Sequence, residues 1–79
     1  QLKLSEIQKG GCGKIIKINS DSILKSRFSS FGITRGATVY IIQQTMSKNT
    51  IEIRVKNTSI ALRISEAELI EVEQIQCEI

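Results

Sequence analysis

Two glycines four positions apart, Gly32 and Gly36, place the strictest constraint on how this chain folds. They follow a short segment in which Leu24, Phe28 and Phe31 recur at i, i+4 and i+7, the spacing of one apolar helix face. Gly32 can take the positive φ that ends a helix, and Gly36 can do the same before the apolar run that follows. The pattern therefore predicts a short helix that stops at Gly32 and turns into a strand.

The rest of the chain is typical of short β-strands, which we predict at residues 14–18, 37–45, 50–56, 59–64 and 69–73. Turns are expected at residues 46–49 and 57–58, where Asn57 is a residue type that tolerates a left-handed backbone. Ser65 and Glu68 have the spacing of a capping box, which predicts one helical turn before the last strand. Because a curled sheet leaves fewer exposed edges, we expect a mainly β fold: a small SH3-like barrel of about five antiparallel strands with one short α-helix between strands 1 and 2.

The length of 79 residues, without proline or an internal repeat, predicts a single domain over residues 1–79. Its core is small, so truncating a large core side chain is expected to affect folding rather than recognition. The predicted core residues are Phe28, Phe31, Val39, Ile41, Ile53, Val55, Leu62 and Ile70.

Composition argues against several functional classes. The charge of +3 comes from 11 basic and 8 acidic residues, a mixed surface that does not require nucleic acid. No run approaches the roughly 18 apolar residues of a membrane span, and no secretion pattern opens the chain, so we expect a cytoplasmic protein without direct membrane insertion. In that setting Cys12 and Cys77 are expected to be free thiols.

The chain has no histidine and no nucleophile beside an identifiable base, so no catalytic residue and no enzymatic activity are predicted. No cofactor site is predicted either, because Gly10–Gly13 lacks the Gly-Lys-Ser/Thr ending of a phosphate-binding loop. The glutamates at 66, 68, 71 and 73 are interpreted as solvated surface, and the separation of Cys12 from Cys77 leaves no metal site.

The segment Arg27-Phe28-Ser29-Ser30-Phe31-Gly32-Ile33-Thr34-Arg35-Gly36 resembles the R-L-x-x-L-G-[LMI]-x-P-G signature of the FeoA family, small cytoplasmic proteins associated with bacterial ferrous iron uptake. The order Leu4-x-x-Ile7-x-x-Gly10, Ile60-Ala61-Leu62-Arg63 and Glu66-Ala67-x-x-Ile70-x-Val72 extends the resemblance over residues 4–73. Arg35 replaces the proline that usually precedes the second glycine. The resemblance implies an SH3-like fold and a partner, the FeoB transporter, which has a cytoplasmic GTP-binding domain.

The partner-binding surface is predicted at the helix end and the following turn, with Ile33 as an apolar contact and Arg35 as a charged one. An equally simple interpretation has Ile33 covering the core. Oligomeric state is left open by the sequence pattern.

Two other functions fit a small mildly basic barrel. The chain resembles, in architecture, the SH3-like accessory domain of a DtxR-type metal-dependent repressor, and small barrels also bind nucleic acid. Only Phe28, Phe31 and Tyr40 are aromatic, and the two phenylalanines have core spacing, so no stacking platform for bases is expected.

Overall fold

The described part of this chain contains six strands, and alternating apolar and polar side chains favour the five longer ones. The computed structural model describes residues 2–45 and 47–77. The strands are β1 (Leu2–Lys3), β2 (Cys12–Ile18), β3 (Thr38–Thr45), β4 (Thr50–Val55), β5 (Thr58–Arg63) and β6 (Ile70–Ile75). The helices are α1 (Ser22–Ser30) and α2 (Ile64–Ala67), with a 3-10 turn at Leu4–Glu6. The predicted mainly β fold, with a short helix between what we numbered strands 1 and 2, is confirmed.

All six strands join one antiparallel sheet in the order β1-β6-β2-β3-β4-β5. The strand absent from the sequence prediction is β1, in which Leu2 lies opposite Val72 of β6. A strand of two residues is too short to show alternating apolar and polar side chains, so only its pairing with β6 reveals it. The strand β2 pairs with β6 along most of its length but with β3 only from Cys12 to Lys14.

Two β-bulges interrupt this sheet. The pairing of β2 with β6 shifts between Ile15 and Lys17, which leaves Ile16 as the extra residue. The pairing of β3 with β4 shifts between Ile41 and Gln43, which leaves Ile42 as the extra residue. A bulge bends its strand and increases the local twist, and here it also shifts the pairing of the residues that follow it. Both Ile16 and Ile42 are half-buried.

The sheet, α1 and the 3-10 turn all contribute buried apolar residues to one core cluster. Seven of the eight predicted core residues are buried, namely Phe28, Val39, Ile41, Ile53, Val55, Leu62 and Ile70. The prediction was wrong for Phe31, which is 42% exposed. Helix α1 ends at Ser30 and Phe31 is its C-cap, so helical spacing no longer directs this side chain inward.

Both ends of α1 are capped. Asp21 Oδ1 accepts a hydrogen bond of 2.8 Å from the Leu24 N–H at the start of the helix. At the other end Gly32 has φ +85, as predicted. The Ile33 N–H donates to the Phe28 carbonyl at 2.9 Å and the Gly32 N–H to the Ser29 carbonyl at 3.0 Å. These two bonds are the Schellman motif, which ends α1 at the predicted position.

The turn at Gly36, where φ is +91, brings β3 beside β2. The Gly36 N–H donates to the Ile15 carbonyl at 2.7 Å, and the Ile15 N–H donates to the Ala37 carbonyl at 2.8 Å. These reciprocal bonds fix where β3 begins relative to β2.

Two other turn predictions differ in detail from the structure. Lys56 rather than Asn57 has the positive φ, at +58, because the two-residue hairpin loop places it at the first central position. The turn before β6 is helical as predicted, but Glu66, not Glu68, accepts from a cap residue, the Arg63 N–H, at 3.1 Å. Met46, in the predicted turn at 46–49, lies outside the described residues.

Candidate functional site

The two residues predicted to bind a partner have different surroundings. Ile33 is fully buried, so its side chain is unavailable as a surface contact and that part of the prediction needs correction. The physical reason is the Schellman motif, which commonly packs the residue after the glycine against the residue that accepts its N–H. Here those residues are Ile33 and Phe28, which is 2% exposed. Arg35 is exposed, and its role in recognition stays a prediction.

Arg35 lines a surface concavity of about 550 Å³, which we call the Arg35 concavity. Its walls include Leu2 and Ile16, both half-buried, and Glu73. The apolar neighbours of Arg35 are therefore Leu2 and Ile16 rather than Ile33. A sequence signal for Ile16 existed, because alternation from the buried Ile15 places Ile16 on the outer face of β2.

A larger groove of about 1120 Å³ crosses the outer face of β2, β3 and β4 near the end of β6. We call it the Tyr40 groove; its lining includes Ala37, Tyr40, Ile42, Arg54, Lys56 and Ile75. Tyr40 is one of the few large apolar side chains exposed in the described chain, at 39%. The sequence contained a signal for this apolar surface, because alternation along the run 37–45 places Tyr40 and Ile42 on the face opposite Val39 and Ile41. The high apolar content of that run nevertheless favours a largely buried strand, which conceals this exposed face.

Strand pairing aligns four residues in a row along this groove. Tyr40 lies opposite Cys12 of β2 on one side and opposite Arg54 of β4 on the other. Cys12 in turn lies opposite Ile75 of β6. Directly opposite residues in antiparallel strands share one face of the sheet, so the row presents apolar, aromatic and cationic groups to the same side.

Cys12 and Cys77 form a disulfide at the edge of the Tyr40 groove, with a Cα to Cα distance of 5.4 Å. The expectation of two free thiols was therefore wrong. That expectation rested on the cytoplasmic setting expected from the sequence. The structure brings together two cysteines with a sequence separation of 65, because β6 runs antiparallel to β2 and carries Cys77 back to the start of β2. The bond fastens the chain after β6 to the sheet.

Within residues 2–45 and 47–77, no three His, Cys, Asp or Glu side chains are arranged to hold a metal ion. Glu66 instead caps α2 and lies 4.0 Å from the Arg27 guanidinium, and the Glu71 carboxylate accepts from the Asn19 side chain. Across the same described segments, no helix is both long enough and apolar enough to cross a membrane.

Comparison with known proteins identifies relatives along most of the chain. A family model of the FeoA domain matches residues 2–74. A protein of Helicobacter pylori (strain J99) named "Putative Fe(2+) transport protein A" is 34% identical over 74 residues, covering 92% of this chain and 95% of that protein. A Campylobacter jejuni protein of the same name is 30% identical over 74 residues, covering 94% of this chain and 100% of the other.

Solved structures give the same fold. The NMR structure of a FeoA-like protein from Clostridium acetobutylicum has a TM-score of 0.83 at 29% identity, covering 99% of this chain and 91% of that one. Stenotrophomonas maltophilia FeoA complexed with zinc, described as a procaryotic SH3 domain protein, has a TM-score of 0.79 at 22% identity, covering 92% and 91%. The predicted SH3-like fold is confirmed.

A manganese-dependent transcriptional repressor also matches, with a TM-score of 0.84 at 20% identity over 92% of this chain but 40% of the repressor. At this identity the likeness shows a shared fold alone. It accounts for the architectural resemblance to a repressor domain noted in the sequence.

Proposed function

This chain belongs to the FeoA domain family, and on that premise we propose that it is a non-enzymatic accessory protein of ferrous iron uptake. It acts by binding the cytoplasmic GTP-binding part of a FeoB-type transporter. It works in the cytoplasm and does not insert into the membrane itself.

The observation that carries this proposal is the similarity to the curated Fe(2+) transport relatives over nearly their whole length, at 34% identity for the Helicobacter pylori protein. The repressor alternative has weaker support, because its likeness at 20% identity is one of fold. The nucleic-acid alternative is also less well supported, since Phe28 is buried and leaves Phe31 and Tyr40 as partly exposed aromatics in the described chain.

An accessory role through protein binding suits the surface. The Arg35 concavity and the Tyr40 groove combine partly exposed apolar side chains with cations, a composition found in recognition sites. Both lie on strands or turns of one hydrogen-bonded sheet, which pre-organises them for a partner.

The first test is capture of the tagged protein from membranes of its native host in mild detergent, with and without nuclease. Retention of a FeoB-type transporter after nuclease treatment is the expected result. Loss of all partners with nuclease would instead favour nucleic-acid binding, and capture of a repressor without the transporter would contradict the proposal.

A direct test measures binding to the purified cytoplasmic domain of that transporter by biolayer interferometry. We expect Arg35→Glu to weaken binding by about tenfold because it reverses an exposed charge in a recognition concavity. Lys48→Glu makes the same charge change in the exposed turn between β3 and β4 and serves as the control. If the Arg35 and Lys48 variants bind with equal affinity, the Arg35 concavity is not part of the interface. That result would not contradict the transporter as partner.

A further inference from the structure

We propose that the Tyr40 groove docks an extended acidic segment of a partner protein, with apolar side chains of that segment on Tyr40 and its carboxylates beside Arg54 and Lys56. The proposal rests on the proposed function for the existence of a protein partner, and deepens it by specifying the chemistry of the segment that is bound.

The floor of the groove is apolar where the outer face of a sheet is ordinarily polar. Tyr40 is 39% exposed, and Ile42, Ala37 and Ile75 are half-buried around it. Ile42 lies on this side because it is two positions after Tyr40 in β3 and therefore shares its face. Burying such side chains under a partner gains about 25 cal/mol per Å² of apolar surface before the costs of association.

Among the described residues, the charge around this floor has one sign. Arg54 and Lys56 line the groove, and none of the lining residues within 2–45 and 47–77 is an aspartate or glutamate. Within the described segments neither cation has a carboxylate within 4.0 Å, since the ion pair found there joins Arg27 and Glu66. Two cations that have no carboxylate partner among the described residues, beside an apolar floor, favour a partner that carries both carboxylates and apolar groups.

The dimensions suit a short extended peptide. The row from Ile75 through Cys12 and Tyr40 to Arg54 crosses four neighbouring strands. With strands about 4.8 Å apart, the row is about 14 Å long. An extended chain covers that distance in about four residues.

A peptide fits this groove better than nucleic acid does. Single-stranded nucleic acid is held by successive aromatic platforms that stack on bases. Tyr40 is the aromatic residue of the lining, and its neighbours Ile42 and Ile75 are aliphatic.

The disulfide holds the wall of the groove in place. Cys77 lines the groove and is bonded to Cys12, whose strand partner is Ile75. A wall fixed before binding lowers the ordering cost of the complex.

The experiment uses the intact protein and a fluorescein-labelled eight-residue peptide of alternating leucine and glutamate, followed by fluorescence anisotropy. The matched probe replaces every glutamate with glutamine. We expect the acidic probe to bind more tightly by about tenfold, with an affinity that falls as salt increases.

Variants assign the binding to the groove. Arg54→Glu is expected to weaken binding of the acidic probe by about tenfold, because it removes a positive charge from the groove. Tyr40→Ser is expected to weaken binding of both probes, because it removes part of the apolar floor. Lys48→Glu, at the opposite end of β4 from Lys56, should change binding by less than about twofold. Thermal unfolding of each variant confirms that it is folded.

The proposal is overturned if the glutamine probe binds as tightly as the acidic one, if Arg54→Glu binds like wild type, or if an oligodeoxythymidine binds the groove more tightly than the acidic peptide. Failure of the proposed function is a different result. If the acidic probe binds through Arg54 but the transporter domain does not bind, the proposal for the groove is supported and the transporter assignment fails. If the transporter domain binds equally to wild type and Arg54→Glu, the groove proposal fails and the transporter assignment stands.

Discussion

Tyr40 of β3 lies directly opposite Arg54 of β4, and both residues line the same groove on the outer face of the sheet. Directly opposed side chains on one face contribute roughly 0.2–1 kcal/mol to sheet stability. A double-mutant cycle with Tyr40→Ala and Arg54→Ala should therefore show a coupling free energy of this size in urea unfolding. Strictly additive effects would show that the two side chains do not interact.

Ile33 belongs to the core because the helix cap directs it there. Ile33→Ala should lower the free energy of unfolding by about 2–5 kcal/mol, the cost of truncating a buried isoleucine. The neighbouring Thr34→Ala, at an exposed position, is the control and should change it by less than about 0.5 kcal/mol. Similar small effects from both variants in chemical denaturation would contradict the burial of Ile33.

The two phenylalanines of the helical segment should differ sharply in their contribution to stability. Phe28 is 2% exposed and Phe31 is 42% exposed. Phe28→Ala should cost about 3–5 kcal/mol in unfolding free energy, because it leaves a cavity in the core. Phe31→Ala should cost about 1 kcal/mol, because much of its ring is already in water. Equal costs would place both rings in the core, as the spacing alone predicted.

Gly13 is required for close packing rather than for its backbone conformation. A Cβ added there would lie 2.5 Å from Ile7 Cδ1 and 3.2 Å from Val72 Cβ, and both neighbours are buried. Gly13→Ala should destabilise the protein by about 1–3 kcal/mol through overpacking.

The control for this prediction is Gly10→Ala, where a Cβ meets nothing within 4 Å but φ is +86. Gly10→Ala therefore measures the loss of unfolding free energy that comes from a strained backbone alone, about 1 kcal/mol. Adding Ile7→Val to Gly13→Ala should recover part of the loss by removing the crowded methyl. No recovery in thermal unfolding would contradict the packing explanation.

The disulfide between Cys12 and Cys77 closes a loop with a sequence separation of 65. Reduction with a phosphine should lower the free energy of unfolding by about 2–4 kcal/mol, because it releases a constraint on the unfolded chain. Cys77→Ser should be equally destabilised and insensitive to the reductant. Identical denaturation curves for wild type with and without reductant would show that the bond does not stabilise the fold.

The sequence was informative wherever the cause of a structure is local. The helix stop at Gly32 follows from the ability of glycine to take a positive φ, and β4 follows from strict alternation between residues 50 and 55. These features depend on residues a few positions apart. For the same reason most of the core was predictable, since alternation and helical spacing state which side chains share a face.

Tertiary structure decided which of those faces meet. The bulge in β2 arises from the pairing between strands. It places Lys14 and Lys17 opposite Glu73 and Glu71, on one face of the sheet, whereas alternation along β2 puts the two lysines on opposite faces. The return of β6 to β2 brings Cys77 to Cys12, and no local pattern encodes that contact.

The sequence by itself thus determined the family, the mainly β class and the helix that ends at Gly32, because each follows from short-range residue order. Only the folded chain decided that Cys77 is bonded to Cys12 and that Tyr40 stands beside Arg54. Those outcomes depend on packing and strand register between residues distant in sequence, and register is fixed by the whole core rather than by any one segment.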